Sequence, residues 1–184
     1  MEKKKIYKII LAGDGGVGKS SLLTTKITGQ FSYSSKITVG IDFSCLLVEN
    51  NHHPISFIVY DLGGQERFHF LHDAYLRGTK GALVLYDITR PKSFENISHW
   101  VELLMKENSQ IPIILVGSKI DLGQPEDLLN YQKLWKKMEN VFPYYSNIRA
   151  HKFISSKTQI GIEDLFNTLK ELFITPHVYL IEQC

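Results

Sequence analysis

Eight residues near the start of the chain, Gly13-Asp14-Gly15-Gly16-Val17-Gly18-Lys19-Ser20, fit the pattern G-x-x-x-x-G-K-[ST], whose chemistry is the capture of a polyphosphate. Glycines let the backbone turn its N–H groups around an anion that side chains would crowd out. Lys19 supplies a mobile positive charge for the outer phosphates, the Ser20 hydroxyl is suited to ligate a bridging magnesium ion, and Ser21 beside it is counted with the nucleotide-binding residues. The alternative is a glycine-rich connector. The pattern's place between a strand-like run and a helical one argues against it, because a helix opening at Lys19 turns its positive end toward the same anion.

A second group, Asp61-Leu62-Gly63-Gly64-Gln65-Glu66-Arg67-Phe68, sets an acid at the tip of an apolar run, followed by glycines and a glutamine. With the phosphate loop, Thr38-Val39-Gly40-Ile41-Asp42-Phe43 and Tyr75-Leu76-Arg77-Gly78, it resembles the Ras-like small GTPases, most closely their Rab branch. The likeness runs from Lys5 to about Ile174, with the motifs in the family's order.

The resemblance implies GTP and GDP with Mg2+ as ligands, and roles for named residues. Asp61 would hold the magnesium's water shell, together with Ser20 and Thr38 as metal ligands. Gly64, without a side chain, leaves its N–H free for a γ-phosphate, and Thr38 meets the same phosphate from the loop around Ser32–Lys36. Loss of that phosphate would free both loops, so the chain would be a two-state switch. Gln65 would orient the attacking water, giving a catalytic set of Gln65, Lys19, Thr38 and Gly64. No arginine is placed by motif to serve the transition state, although Arg67 and Arg77 are near in sequence, so slow turnover accelerated by a partner is expected.

Guanine selection would fall to Gly117-Ser118-Lys119-Ile120-Asp121, where the family carries Asn-Lys-x-Asp. A carboxylate at Asp121 accepts from guanine's N1–H and 2-amino group, whereas adenine would leave it unpaired. Ser118 departs from asparagine, so one bond toward the base edge or the phosphate loop is expected to be missing or water-bridged, and Ser118→Asn is expected to tighten binding. Lys119 and Phe31 would flank the base, and Ser155-Ser156-Lys157 resembles the family's Ser-Ala-Lys, with Ser156 in place of alanine.

Phe43, Tyr60 and Tyr75 fall where Rab proteins place three effector-facing aromatics, Tyr60 replacing the usual tryptophan; ordinary core filling is the equal alternative. Phe68, Phe70 and Leu71 would form an apolar patch ordered only with GTP. His69 and His72, and the pair His52-His53, read as solvated loop. After Ile174 comes a short tail whose only cysteine, Cys184, is the last residue, which gives lipidation no support; its apolar residues 178–181 fold back or bind a partner.

These residues need a frame. Near-continuous apolar runs at Ile6–Ala12, Ile55–Tyr60, Gly81–Asp87 and Ile111–Gly117 read as parallel strands covered on both faces. Ile41–Glu49 alternates Ile41, Phe43, Cys45 and Leu47 against Asp42 and Ser44, as a half-open edge strand would, and should pair antiparallel with Ile55–Tyr60. Helical patterns lie at Lys19–Thr28, Lys92–Glu107 behind Pro91, Pro125–Glu139 and Gly161–Ile174, with residues 144–149 as an extra loop. The expected fold is α/β: a P-loop G domain with a doubly wound, mostly parallel six-stranded sheet, one antiparallel edge strand and helices on both faces. It would occupy residues 1–175, with a short tail at 176–184.

Composition agrees. The 184 residues are 43% hydrophobic, enough for one core, and a net charge of +2 gives no field for nucleic acid or an anionic membrane. Two cysteines make no disulfide framework, no secretory signal is visible, and no run has the length of a membrane span. A cytoplasmic monomer is expected, with membrane association left open and effectors, an exchange factor and an activating protein as partners. Two rivals are a nucleotide-dependent scaffold that does not turn over, favoured if Ser118 and Ser156 cripple the site, and a P-loop kinase of small metabolites, which lacks a visible arginine lid.

Overall fold

The computed structural model describes residues 5–33, 38, 40–48, 55–63, 75–141 and 146–174, with backbone alone for 48, 125 and 137–141. Six strands form one sheet in the order β2-β3-β1-β4-β5-β6. The strands are β1 (Lys5–Ala12), β2 (Ile41–Val48), β3 (Ile55–Leu62), β4 (Gly81–Asp87), β5 (Ile113–Ser118) and β6 (Ile148–Phe153). Only the β2–β3 pair is antiparallel among the described residues, in register from Ile41↔Leu62 to Val48↔Ile55. One further bond, Gly63 N–H to the Gly40 carbonyl at 2.8 Å, extends that ladder beyond the strand ends. The helices are α1 (Lys19–Thr28), α2 (Pro91–Glu95), α3 (Ile97–Glu107), α4 (Pro125–Val141) and α5 (Ile162–Ile174).

The apolar runs are continuous because the sheet is sandwiched. Ile9 and Leu11 of β1 join Leu83 and Leu85 of β4 in a core closed by Leu22 and Leu23 of α1 and Leu165, Phe166 and Leu169 of α5. Their neighbours Ile10, Ala12, Ala82 and Val84 face the other way, into a core closed by Phe94, Trp100 and Leu104 from α2 and α3 and by Trp135 of α4. Strand alternation thus serves two cores at once.

Several boundaries differ from the sequence reading. The pattern at Lys92–Glu107 forms two helices, because Asn96 sits between them with ψ −2° and its side chain is bonded outside the helix. β5 starts at Ile113, not Ile111: Pro112 has no N–H to give a ladder, although its carbonyl accepts from Ala82 at 3.0 Å. β6 takes in Ile148 and Arg149 from the expected extra loop, while Tyr144 and Tyr145 lie outside the described residues.

The edge strand has the reverse phase to the one its alternation suggests. Leu46 is buried against β3, while Phe43 and Leu47 are 69% and 60% exposed and Cys45 is exposed too. The apolar odd-numbered set lies on the face where α2 and α3 pack over β4, away from the edge, and among the described residues no helix covers Phe43, Cys45 or Leu47 there. Phe43 rests instead on Tyr60, with ring centroids 6.2 Å apart, and Tyr60 on Tyr75 at 6.4 Å. The three aromatics are contiguous, and Phe43 and Tyr75 are surface residues rather than core filling.

Candidate phosphate and metal site

Parallel strands end together, and the loops at their carboxyl ends gather into one place. β1 runs into the loop Gly13–Gly18, and α1 begins at Lys19 with Gly18 as its cap at φ +99°. Gly13 has φ +135°, and a Cβ there would lie 2.2 Å from the Leu85 carbonyl oxygen of β4, so no other residue fits. Lys19 is 6% exposed. Its ammonium donates to the carbonyls of Gly13 at 2.6 Å and Asp14 at 2.9 Å, which folds it over its own loop. Burial pushes its pKa down to about 8, against the pull of Asp61 and Asp14 and helped by Arg90.

Three oxygens from three elements converge beside it. The Ser20 hydroxyl, in the first turn of α1, donates to Asp61 Oδ2 at the end of β3 and lies 2.8 Å from Thr38 Oγ1. Thr38 in turn donates to the same Oδ2 at 3.4 Å. The other carboxylate oxygen, Asp61 Oδ1, is buried without a hydrogen-bond partner among the described residues. Burial raises the Asp61 pKa, and the two hydroxyls and Lys19 act against that rise. Two hydroxyls and a carboxylate with a spare, desolvated lone pair are a hard, oxygen-only donor set, which fits a magnesium ion.

On the other flank stand the residues expected at the base. Ser118 Oγ is buried and donates to the Val17 carbonyl at 2.6 Å or the Tyr86 carbonyl at 2.8 Å. The serine therefore reaches the phosphate loop directly, with the hydroxyl within hydrogen-bond distance of the loop carbonyl, so of the two places where a bond was expected to be missing or water-bridged the loop is filled and the base edge remains. Lys119, at φ +63°, donates to the Gly16 carbonyl at 2.8 Å and pairs with Asp87 Oδ2 at 2.6 Å. Asp121 is exposed, and its Oδ1 accepts from Ser155 Oγ at 2.6 Å, a buried hydroxyl that also accepts the Thr158 N–H. The Ser156 carbonyl accepts from Thr25 of α1, Lys157 lies 5.9 Å from the Tyr33 ring centroid, and Phe31 meets Tyr33 edge-on at 5.1 Å. Ser21 follows Ser20 in α1, half-buried. The structure thus gathers Gly13 to Ser20, Thr38, Asp61 and Ser118 around one loop, with Lys119. Gly64, Gln65, Arg67, Phe68, Phe70, Leu71, His69, His72, His52, His53 and residues 175–184 lie outside the described residues.

Four residues around the loop, Asp87, Arg90, Asn96 and Trp100, were not assigned to the site from the sequence. Asp14 is held by Asn96 Nδ2 at 2.8 Å and Trp100 Nε1 at 2.9 Å. Asp87, buried at the tip of β4, accepts from Thr89 on Oδ1 and from Lys119 and Arg90 on Oδ2. Burial would raise the Asp87 pKa, but the bonds from Lys119 and Thr89 outweigh it and hold the carboxyl below its usual range. Arg90 also donates from Nη2 to the Gly15 carbonyl at 2.9 Å. The visible signal was Asp87 itself, an acid ending an apolar strand and bound to need partners.

A model of the Ras family matches residues 8–174. The Drosophila melanogaster Ras-related protein Rab7 is 31% identical over 172 residues, covering 91% of this chain and 80% of the relative. GTP-binding protein ypt3 of Schizosaccharomyces pombe is 42% identical over 172 residues, or 91% of this chain and 76% of ypt3. Ras-related protein RABA2a of Arabidopsis thaliana is 41% identical over 118 residues, 64% of this chain, which spans about half (54%) of that relative's length. A match across nearly all the described frame, with loop, strand tips and base-side residues in one place, has one meaning: the chain belongs to the Ras family of small GTPases and is most similar to its Rab branch.

Proposed function

We propose that the chain binds GTP and GDP with Mg2+ at this site, hydrolyses GTP slowly and recruits effectors in the GTP state, in membrane trafficking or signalling. The observation that carries the reading is the convergence of Ser20, Thr38 and Asp61 Oδ2 beside Lys19, with Asp61 Oδ1 buried and without a partner among the described residues. When bound, the ion neutralises phosphate charge; Ser20 and Thr38 would hold it directly and Asp61 through its water shell. Gly13 to Ser20, with Lys19, would hold the phosphates, and Lys19 supplies the positive charge for the γ-phosphate. Asp121, kept in place by Ser155, would accept from guanine, with Phe31, Lys119, Ser156 and Lys157 around the base and Ser118 acting through the loop. Gln65 would orient the water, and Thr38 and Gly64 would sense the γ-phosphate. Residues 1–175 form the working domain.

The contiguous, exposed Phe43 and Tyr75 around Tyr60 support an effector surface on that side. Exchange factors and activating proteins are the further partners, and association with a membrane surface would come through them or through the tail. Among the described residues no helix is long and apolar enough to cross a membrane.

The deciding experiment identifies the nucleotide that co-purifies with the protein and titrates GTP against ATP with Mg2+ present. Guanine preference is expected, and preference for ATP would remove the reading. Single-turnover GTP hydrolysis by wild type and Gln65→Leu then separates a GTPase from a scaffold: a much slower variant supports hydrolysis, and equal inertness supports the scaffold.

A further inference from the structure

Five consecutive carbonyls of the phosphate loop each accept a side-chain donor. Gly13 and Asp14 are taken by Lys19, Gly15 by Arg90, Gly16 by Lys119 and Val17 by Ser118. Lys19 belongs to the loop's own helix, but the last three donors come from β4's carboxyl end and the end of β5, across 75, 103 and 101 positions of sequence. All peptides here are trans, so a carbonyl and the N–H of the same peptide point in opposite directions. Fixing the carbonyls of Gly15 and Val17 on one side therefore aims the N–H groups of Gly16 and Gly18 to the other, while the Val17 N–H makes a long bond of 3.5 Å to the Asp14 carbonyl. A cationic donor on a carbonyl also polarises that peptide and makes its N–H a stronger donor.

Arg90 is the member of this row that no motif supplies. It precedes Pro91, which forces it out of the helical region, and it is extended at φ −129°, ψ 89°. Its Nε is held by Asp87 Oδ2 at 3.1 Å, the oxygen that also pairs with Lys119, so one buried carboxylate sets both cations. Nη2 then meets Gly15 O, and lies 3.8 Å from where a Cβ on Gly16 would stand. We propose that Arg90 is a positioning residue for nucleotide retention: through Gly15 O it orients and polarises the Gly15–Gly16 peptide, so that Gly16 N–H is preset for a phosphate. The proposal rests on the functional reading above, in that phosphate is the anion received. It assigns Arg90 no contact with the nucleotide, since its bond is to a carbonyl that faces away from the amide it tunes.

The test follows release of fluorescent GDP and of a non-hydrolysable GTP analogue, with Mg2+, from wild type, Arg90→Met and Arg90→Lys. Methionine keeps the stem's apolar contacts and loses the donors. Because the Arg90 side chain is 44% exposed, the expected effect is modest, about a fivefold faster release of both nucleotides alike, with lysine in between. The difference should shrink in 1 M salt, where an exposed cation is screened, while the melting temperature of Arg90→Met stays within a few degrees of wild type. Release within twofold of wild type, or a salt-independent rise accompanied by a large fall in melting temperature, overturns the proposal. If the wild type binds no guanine nucleotide, the functional reading fails separately. Amide hydrogen exchange at Gly16 in the nucleotide-free protein then decides: slower base-catalysed exchange in Arg90→Met supports the polarised peptide, and equal exchange overturns it.

Discussion

Asp61 is a carboxylate that burial pushes toward neutrality against the pull of two hydroxyls and Lys19, with one oxygen left without a partner among the described residues. A divalent cation relieves that arrangement. Asp61→Asn should therefore make nucleotide release insensitive to magnesium; release rates measured with and without a chelator, expected to differ strongly in wild type, should coincide in the variant. Ser118 poses a different question, since its single proton serves one of two buried carbonyls at a time. Ser118→Ala leaves both without it and should cost about 1 kcal/mol in denaturant unfolding, with faster nucleotide release. The link to Val17 already exists, so the gain from Ser118→Asn is confined to what an amide adds at the base edge, under about tenfold in dissociation constant by titration.

At the scale of elements, the α2–α3 break exists because Asn96 spends its amide on Asp14 and Trp100, one turn on, spends its indole N–H on the same carboxylate. Trp100→Phe should lower stability by about 2 kcal/mol, through the lost bond and the space left in the core, read by denaturant titration. β6 carries a second polar device: His151 lies among Tyr86, Trp135 and Phe153 rings and shares a hydrogen bond with the Tyr86 hydroxyl at 3.0 Å. Burial pushes its pKa from 6.5 down to about 4. The unfolded chain then binds the extra proton first, so this contribution is complete above pH 6.5 and is lost as pH falls toward 4, by at most about 3 kcal/mol. Urea midpoints across that window should fall more steeply in wild type than in His151→Phe. The phosphate loop was legible in sequence because its chemistry lies in one contiguous stretch with fixed backbone demands, as at Gly13. Arg90, Asn96 and Trp100 were not, since each meets its partner across 75 to 86 positions and only the fold closes that gap. The phase of β2 was hidden for another reason: at a sheet edge, which face is covered depends on where helices reach, and alternation alone is symmetric.

For the whole molecule, the alternation of strands and helices and the antiparallel edge pair followed from the apolar runs, whereas the strand order came only with the structure and the site is stitched from β1, α1, β3, β4 and β5 together. Ligand binding should accordingly stabilise the entire domain. GDP at about a thousand times its dissociation constant adds roughly 4 kcal/mol, which for a domain of this size raises the melting temperature by about 10 °C. A thermal scan with GDP and Mg2+ should show that rise, and one with ATP should not.

The bond from Gly63 to Gly40 lies one residue from Gly64 and two from Thr38, outside the last strand pair. Under the proposed reading it would act as a yoke: a tug on either tip would be carried across to the other, so that a message arriving at one would be read out at both. Lengthening either connection by a single residue should slip the yoke and leave two deaf halves in place of one listener.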